Sequence, residues 1–307
     1  MREADRARAQ AAGGGGMRVA LHDSDATGFP NLALMKLAAW HKHQNDAVER
    51  FRPLFRNMYD KVYSSKVFVF TPTDNMLPAS AIRGGVGYGR FEDLPDAVEH
   101  IMPDYAMFGA SHAMGFTTRG CPNSCPWCVV PSKEGKIRPH ADVEEFLGGM
   151  QSLVLMDNNI LASEHGIKQL EKIATLGVKL DCNQGLDARL VDDAVANVLG
   201  RVRWIRFVRF ACDQVSQMPH VERAVRLLRA ASGKKGEVFV YVLVKEIRDA
   251  LERVEFLRRI GCEPFAQPYR DLTNNAEPAA ELKRFARWVN HKAIFKTIPW
   301  SEYRSAS

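Results

Sequence analysis

From Tyr105 onward the chain alternates short apolar runs with amphipathic stretches, and this rhythm limits its fold more than any other feature. Strands are expected at 113–118, 152–157, 178–183, 203–210, 238–244 and 263–267, and helices at 142–150, 164–176, 192–199, 220–230, 247–260 and 279–290. In the second helix Ile167, Leu170 and Ile173 share one face at helical spacing. Strand–helix units repeating about every 30 residues build parallel sheets, because a parallel neighbour needs a crossover connection. Six such units describe an α/β fold, a partial (β/α)6 parallel barrel. In such barrels the chemistry sits on the loops after the carboxyl ends of the strands.

The first of those loops reads Thr118-Arg119-Gly120-Cys121-Pro122-Asn123-Ser124-Cys125-Pro126-Trp127-Cys128. A closed iron–sulfur site takes four cysteines. Three leave one iron of a four-iron, four-sulfur (4Fe-4S) cluster open, and an open iron is a place for chemistry. Pro122 and Pro126 stiffen the loop and remove two backbone donors, leaving the amides between them for cluster sulfurs. A zinc knuckle and an unrelated cysteine cluster are the other readings. Zinc would want a fourth Cys or His at ligand spacing; after Cys128 no cysteine occurs until Cys182, and His112 and His140 fit no usual zinc spacing.

With Trp127 just before the last cysteine, the motif resembles that of the radical S-adenosylmethionine (radical SAM) enzymes, and the resemblance covers nearly all of the chain from Tyr105. It implies that Cys121, Cys125 and Cys128 ligate the cluster and that S-adenosylmethionine chelates the open iron. It also implies an electron donor such as flavodoxin or ferredoxin, cleavage to a 5′-deoxyadenosyl radical, and hydrogen abstraction from an unidentified substrate. Asp157, after the second strand, takes the place of the family's contact to the amino group, although the usual Gly-Gly-Glu type motif is absent. Asn183, Gln184 and Arg189, after the third, suit ribose hydroxyls and the methionine carboxylate. The plainer alternative there is a turn with Asp187 as a helix cap and Arg189 paired to Asp192 or Asp193. Arg206 and Arg209 alternate along the fourth strand, so only one faces inward, and Arg209, nearer the strand end, is the choice. Lys245 and Glu246 close the fifth strand. Gln267 or Tyr269 would lie against adenine, and Arg270 would meet substrate. Cys212, with Cys182 second, is the candidate catalytic thiol, against the common role of cysteine as a buried small residue. Cys262 falls at the opposite end of its strand.

Before this region, residues 1–16 read as an unstructured leader without function, with Gly13 to Gly16 offering nothing to bury. Residues 17–104 read as a small Rossmann-like α/β domain, and 105–307 as the radical SAM core with a carboxyl-terminal helix. The smaller domain has strands at 19–21, 47–50 and 66–72 and a helix at 32–44. Its layout resembles the domain that precedes the core in cobalamin-dependent radical SAM enzymes and tRNA methylthiotransferases. The D-x-H-x-x-G motif that ligates cobalt is absent, since Asp23-Ser24-Asp25-Ala26-Thr27-Gly28 follows the first strand, so histidine-ligated cobalamin is not expected. Asp23, Asp25 and Asn31 cluster where open sheets bind ligands, or simply form a capped turn. The run Gly84 to Gly89 is expected to be a lid or interdomain loop, because no strand feeds it and no lysine follows.

No run is long and apolar enough to span a membrane, and with half of the 6 cysteines in one motif a disulfide scaffold is not expected. An oxygen-sensitive cluster points to the cytoplasm. The net charge of +6 permits nucleic acid as a partner without requiring it. The segment from Arg284 to Lys296 interleaves basic and aromatic residues, which suits either base stacking or a helix face packed on the barrel. Two alternatives therefore stand beside hydrogen abstraction: methyl or methylthio transfer to a nucleic acid, and a non-catalytic zinc or nucleic-acid-binding protein. The first is weakened by the lack of room for the RNA-binding module of tRNA methylthiotransferases.

Overall fold

The computed structural model describes residues 16–233, 237–271 and 276–304, so the expected leader lies outside the described residues except for Gly16. The chain divides into two compact units between Ser111 and His112, where sequence places the boundary at 104/105.

In the first unit β1 (Arg18–Asp23), β2 (Ala47–Arg50), β3 (Lys61–Ser65) and β4 (Ile82–Gly84) form one sheet in the order β2-β1-β3-β4, all parallel. The helix Leu32–His43 starts at Asn31, whose side chain accepts a hydrogen bond from the Leu34 amide at 3.2 Å. That helix lays Leu34, Leu37 and Ala38 on Val19 and Leu21. Ala20, on the opposite face of β1, packs with Val62, Leu77 and Ala81, so alternation along one strand feeds two layers.

The apolar run at 66–72 is not a strand. The third strand is the less hydrophobic Lys61–Ser65, and its ladder with β1 ends at the pair Asp23 and Ser65. Beyond it the Asp25 carboxylate takes the amides of Val67 and Phe68, which leaves Val67, Phe68 and Phe70 exposed in a loop. A strand does feed the glycine run, since β4 leads directly into the turn Val86–Tyr88.

The second unit contains two parallel sheets. In one, β5 (Ala113–Gly115), β8 (Ser152–Leu155), β9 (Lys179–Cys182) and β10 (Arg203–Trp204) run in the order β10-β9-β8-β5. In the other, β11 (Val208–Ala211), β12 (Val238–Val244) and β13 (Glu263–Pro268) run in sequence order. A parallel bridge between Leu186 and Phe210 links the two, with the Leu186 amide donating to the Arg209 carbonyl at 2.7 Å. β6 (Thr118–Arg119) and β7 (Arg138–Pro139) form an antiparallel pair that brackets the cysteine loop.

Three expected elements are corrected. The strand at 203–210 breaks into β10 and β11, in different sheets, with Phe207 between them stacked on Phe239 at 4.8 Å. The strand at 113–118 likewise divides into β5 and β6 around Phe116. The acidic helix is a single turn, Glu144–Leu147, stopped by Gly148 and Gly149, both at positive φ.

The crossover helices Glu164–Leu176, Asp193–Arg201, Met218–Ser232 and Ile247–Arg259 follow β8, β10's predecessor β9, β11 and β12. Ser163 and Asp192 cap the first two by accepting from Gly166 and Val195 amides. β12 buries Val238, Val240, Val242 and Val244 on one side, as a half-shielded strand should. In the terminal segment Phe285, Trp288 and Val289 are buried, and the Trp288 indole nitrogen donates to the Ile298 carbonyl at 2.8 Å. Those rings are core, so packing decides between the two readings of that segment.

Candidate functional site

Local chemistry holds the cysteine loop at both ends. Asp157, after β8, is 5% exposed, and its Oδ1 accepts from the Thr117 and Thr118 amides and both threonine hydroxyls at 2.5–3.1 Å. That grip fixes β6, from which the loop departs. Gly120 sits at φ +79°, where an added Cβ would stand 2.2 Å from the Lys136 carbonyl, so only glycine fits. Its amide donates to Glu134 Oε2 at 3.0 Å, and the same oxygen accepts from Asn158 Nδ2 at 2.7 Å. The Cys121 amide donates to the Gly135 carbonyl at 3.1 Å, and Cys128 to Cys125 at 3.0 Å closes the tight turn.

Cys121 and Cys125 are half-buried and Cys128 is exposed. Burial first, and then the neighbouring sulfurs, push the Cys125 and Cys128 thiols up, so the sulfurs lie near enough to feel one another's charge. Two of the three sulfurs accept hydrogen bonds: Cys121 from Asn159 Nδ2 at 3.6 Å and Cys128 from the Val130 amide at 3.5 Å. Among the described residues no group of three or more His, Cys, Asp or Glu side chains is gathered so as to hold a metal ion. The donor set itself fits a soft iron–sulfur ligand, with three sulfurs, amide donors on two of them and a guanidinium close by.

Loops after four other strands reach this one. From the end of β8 comes Asn159, whose Nδ2 also donates to Asp187 Oδ2 at 3.3 Å. Asp187, after β9, accepts from Asn123 of the cysteine loop at 3.3 Å and is gripped by Arg189 through Nε at 2.8 Å and Nη2 at 2.6 Å. Burial would raise the Asp187 carboxyl, but Arg189 and its other donors bring it below the usual carboxylate range. Asp213, after β11, is raised by burial, and its charge adds, behind burial and the neighbouring sulfurs, to the upward push on the Cys125 and Cys128 thiols. Lys245, after β12, is shared between two rings, 5.4 Å from the Trp127 centroid and 5.1 Å from that of Tyr269.

The residues expected from sequence meet different fates. Asp157 is committed to the two threonines and anchors the loop. Arg189 stands at the site, paired to Asp187 rather than to Asp192 or Asp193; Asp187 does cap the turn Ala188–Leu190, accepting from the Arg189 amide at 3.1 Å, and Asp192 caps the next helix. Asn183 lies in the turn after β9, its carbonyl accepting from the Tyr241 hydroxyl at 3.0 Å, and Gln184 beside it is exposed. Arg209 is ion-paired with Asp181 and lies over Phe207 and Phe239, so its carboxylate comes from the protein. Gln267 is exposed near the end of β13. Cys212 is fully buried, with burial pushing its thiol up to about 12, and Cys182 and Cys262 are buried as well.

Sequence reasoning missed Asn159, Asp213 and Arg253. Arg253 is 1% exposed and donates to the Cys212 carbonyl at 2.8 Å and the Leu243 carbonyl at 3.0 Å, with Asp249 as its ion-pair partner. It pins the helix Ile247–Arg259 to the ends of β11 and β12. Its arginine within a helix of alternating charges carries no sequence signal. Asn159 did have one, as the second of two asparagines beyond a strand end.

Among the described residues no helix is long and apolar enough to cross a membrane. No protein-family model matches the chain, and no curated protein matches it. Solved structures similar to it include Streptococcus suis SuiB bound to S-adenosylmethionine, 11% identical, covering 60% of this chain and 48% of that one with a TM-score of 0.42. Another is Streptococcus suis SuiB bound to precursor peptide SuiA, 11% identical, covering 60% of this chain and 46% of that one with a TM-score of 0.43. This chain spans about half the length of those proteins.

Proposed function

We propose that the second unit is a radical SAM enzyme: it holds a 4Fe-4S cluster on Cys121, Cys125 and Cys128, cleaves S-adenosylmethionine reductively, and removes a hydrogen atom from a substrate. One observation carries this reading. Asn159, Asp187 with Arg189, Asp213 and Lys245, from the loops after β8, β9, β11 and β12, all approach the C-x-x-x-C-x-x-C loop. On this reading the two linked parallel sheets, with β10 and β11 as the two parts of one broken strand, act as one partial six-stranded barrel with its chemistry at the carboxyl ends.

The cluster, when bound, supplies the electron that breaks a carbon–sulfur bond of the sulfonium, leaving methionine and a 5′-deoxyadenosyl radical. The chain's own residues bind and orient. Arg189 spends Nε and Nη2 on Asp187, which leaves Nη1 for the methionine carboxylate. Asn159 donates to a ligand sulfur and tunes it. Cys128 is exposed, so the loop can draw its sulfurs together without unpacking core. Asp157 is assigned the work of holding β6 still while that happens.

The test is a comparison of the intact chain with Cys125→Ala after anaerobic reconstitution, with S-adenosylmethionine and dithionite, scoring 5′-deoxyadenosine by chromatography. The reading expects product from the first and none from the second. Equal cleavage by both would sink it.

A further inference from the structure

In the first unit the chain passes from β1 to β2 on one side and returns as β3 on the other, so the strand order reverses between β1 and β3. At such a reversal a crevice opens outside the carboxyl ends of the strands, and in open parallel sheets ligands bind there. His22 and Ser24 come from the end of β1, Ser64 and Lys66 from the end of β3, and Tyr88 from the turn after β4. Their polar atoms form one network. Ser24 Oγ, Ser64 Oγ and the Tyr88 hydroxyl lie 2.8–3.1 Å apart. His22 Nδ1 is 2.9 Å from Ser64 Oγ and 3.3 Å from Ser24 Oγ. Hydroxyl protons rotate, so this network can turn donors toward an incoming group.

Lys66 is the residue that asks for a ligand. The residue is 5% exposed, and an ammonium on so enclosed a side chain ordinarily has a carboxylate partner. Lys36, buried to the same degree, has one in Glu99 at 2.9 Å. Among the described residues the Lys66 ammonium has only the Tyr88 ring, 5.3 Å from its centroid. The neighbouring carboxylates are engaged elsewhere. Asp25 accepts from the Val67 and Phe68 amides and the Thr71 hydroxyl, Asp74 from the Met76 amide while facing His22 Nε2 at 3.3 Å, and Asp23 from the Asp25 amide.

The glycine run completes the enclosure. A Cβ on Gly87 would stand 2.5 Å from Lys66 Cγ and 2.7 Å from the Phe68 carbonyl, so glycine lets the loop lie on the lysine stem. The Gly87 amide donates to the Lys66 carbonyl at 2.9 Å and the Tyr88 amide to Gly85 at 3.0 Å. Those amides are spent, so the loop is no backbone phosphate cradle. The cation that a phosphate loop carries after its glycines comes here from β3.

We propose that this crevice binds the oxyanion of a small molecule, a carboxylate or a phosphate, with Lys66 as its cation and Ser24 and Tyr88 as hydroxyl donors. Phe68 and Phe70, 41% and 48% exposed and stacked at 5.1 Å on the loop that follows Lys66, offer an aromatic surface for the body of that molecule. The site is built only from residues of the first unit, and its failure would leave the radical SAM reading standing.

The test is calorimetric titration of the whole chain with acetate, benzoate, inorganic phosphate and phenyl phosphate. Saturable binding is expected for one anion type, tighter for its aromatic form, with benzoate against phenyl phosphate telling carboxylate from phosphate. Lys66→Met should weaken that binding roughly tenfold or more, the weight of a charge-assisted hydrogen bond. Ser24→Ala, at a half-buried position, should weaken it several-fold and decides the matter if Lys66→Met does not fold. No saturable binding by any of the four, or unchanged affinity in a folded Lys66→Met and in Ser24→Ala, overturns the proposal.

Discussion

Asn159 and Cys121 are joined by a hydrogen bond from amide nitrogen to sulfur at 3.6 Å, and the same amide nitrogen reaches Asp187 while the buried Oδ1 has no partner among the described residues. One side chain thus couples a candidate ligand sulfur to the Asp187–Arg189 pair. Outer-shell partners of this kind are worth about 10–100-fold in metal affinity or activity. Asn159→Ala is therefore expected to lower iron retention against a chelator within that range, with the fold intact by circular dichroism. Retention equal to the parent chain would contradict the coupling.

Asp157 is a structural anchor on this account. Asp157→Ala would strand the buried amides and hydroxyls of Thr117 and Thr118, at about 1–3 kcal/mol for each group left unsatisfied. A loss of about 3 kcal/mol or more in denaturant unfolding is the expected outcome. A change below about 0.5 kcal/mol, typical of a surface position, would show that the carboxylate does not hold the strand.

Much of this molecule was readable from the chain. The helix at Glu164–Leu176 and the strand at Val238–Val244 follow directly from periodicity, because each must bury one regular face. The run at 66–72 misled because hydrophobicity alone reads as strand, while the capture of two of its amides by Asp25 depends on a residue over forty positions away. The candidate site divides the same way. The cysteines stand out as a motif by type and spacing, and Arg189 by its place after a strand end. Asp157 and Arg209 are polar residues at the right addresses whose partners, the two threonines and Asp181, are supplied by the fold. Arg253 and Asp213 emerge only once the ends of β11 and β12 are side by side.

The carboxyl-terminal rings offer a test of packing against nucleic-acid stacking. Trp288 is fully buried, with Phe295 at 4.9 Å and Trp300 at 5.6 Å. Trp288→Ala is expected to cost about 3–5 kcal/mol of stability, as for other large core aromatics. A near-neutral effect on stability would instead mark the ring as a free surface.

His22 gives the first unit a pH signature. Burial holds its imidazole below the ordinary value of 6.5, with Asp74 and Asp23 pulling the other way. A folded state that resists the proton while the unfolded chain accepts it loses stability as pH falls through and below 6.5, and has its full contribution above it. Between pH 7 and pH 5.5 the parent chain should lose more thermal stability than His22→Gln. Parallel losses would contradict this.

The central claim turns on anaerobic reconstitution of the intact chain with iron and sulfide, followed by S-adenosylmethionine and dithionite, with iron counted and 5′-deoxyadenosine assayed. Four irons per chain and formation of 5′-deoxyadenosine are the expected result. One zinc per chain and no 5′-deoxyadenosine would contradict it and leave the three cysteines as a structural site.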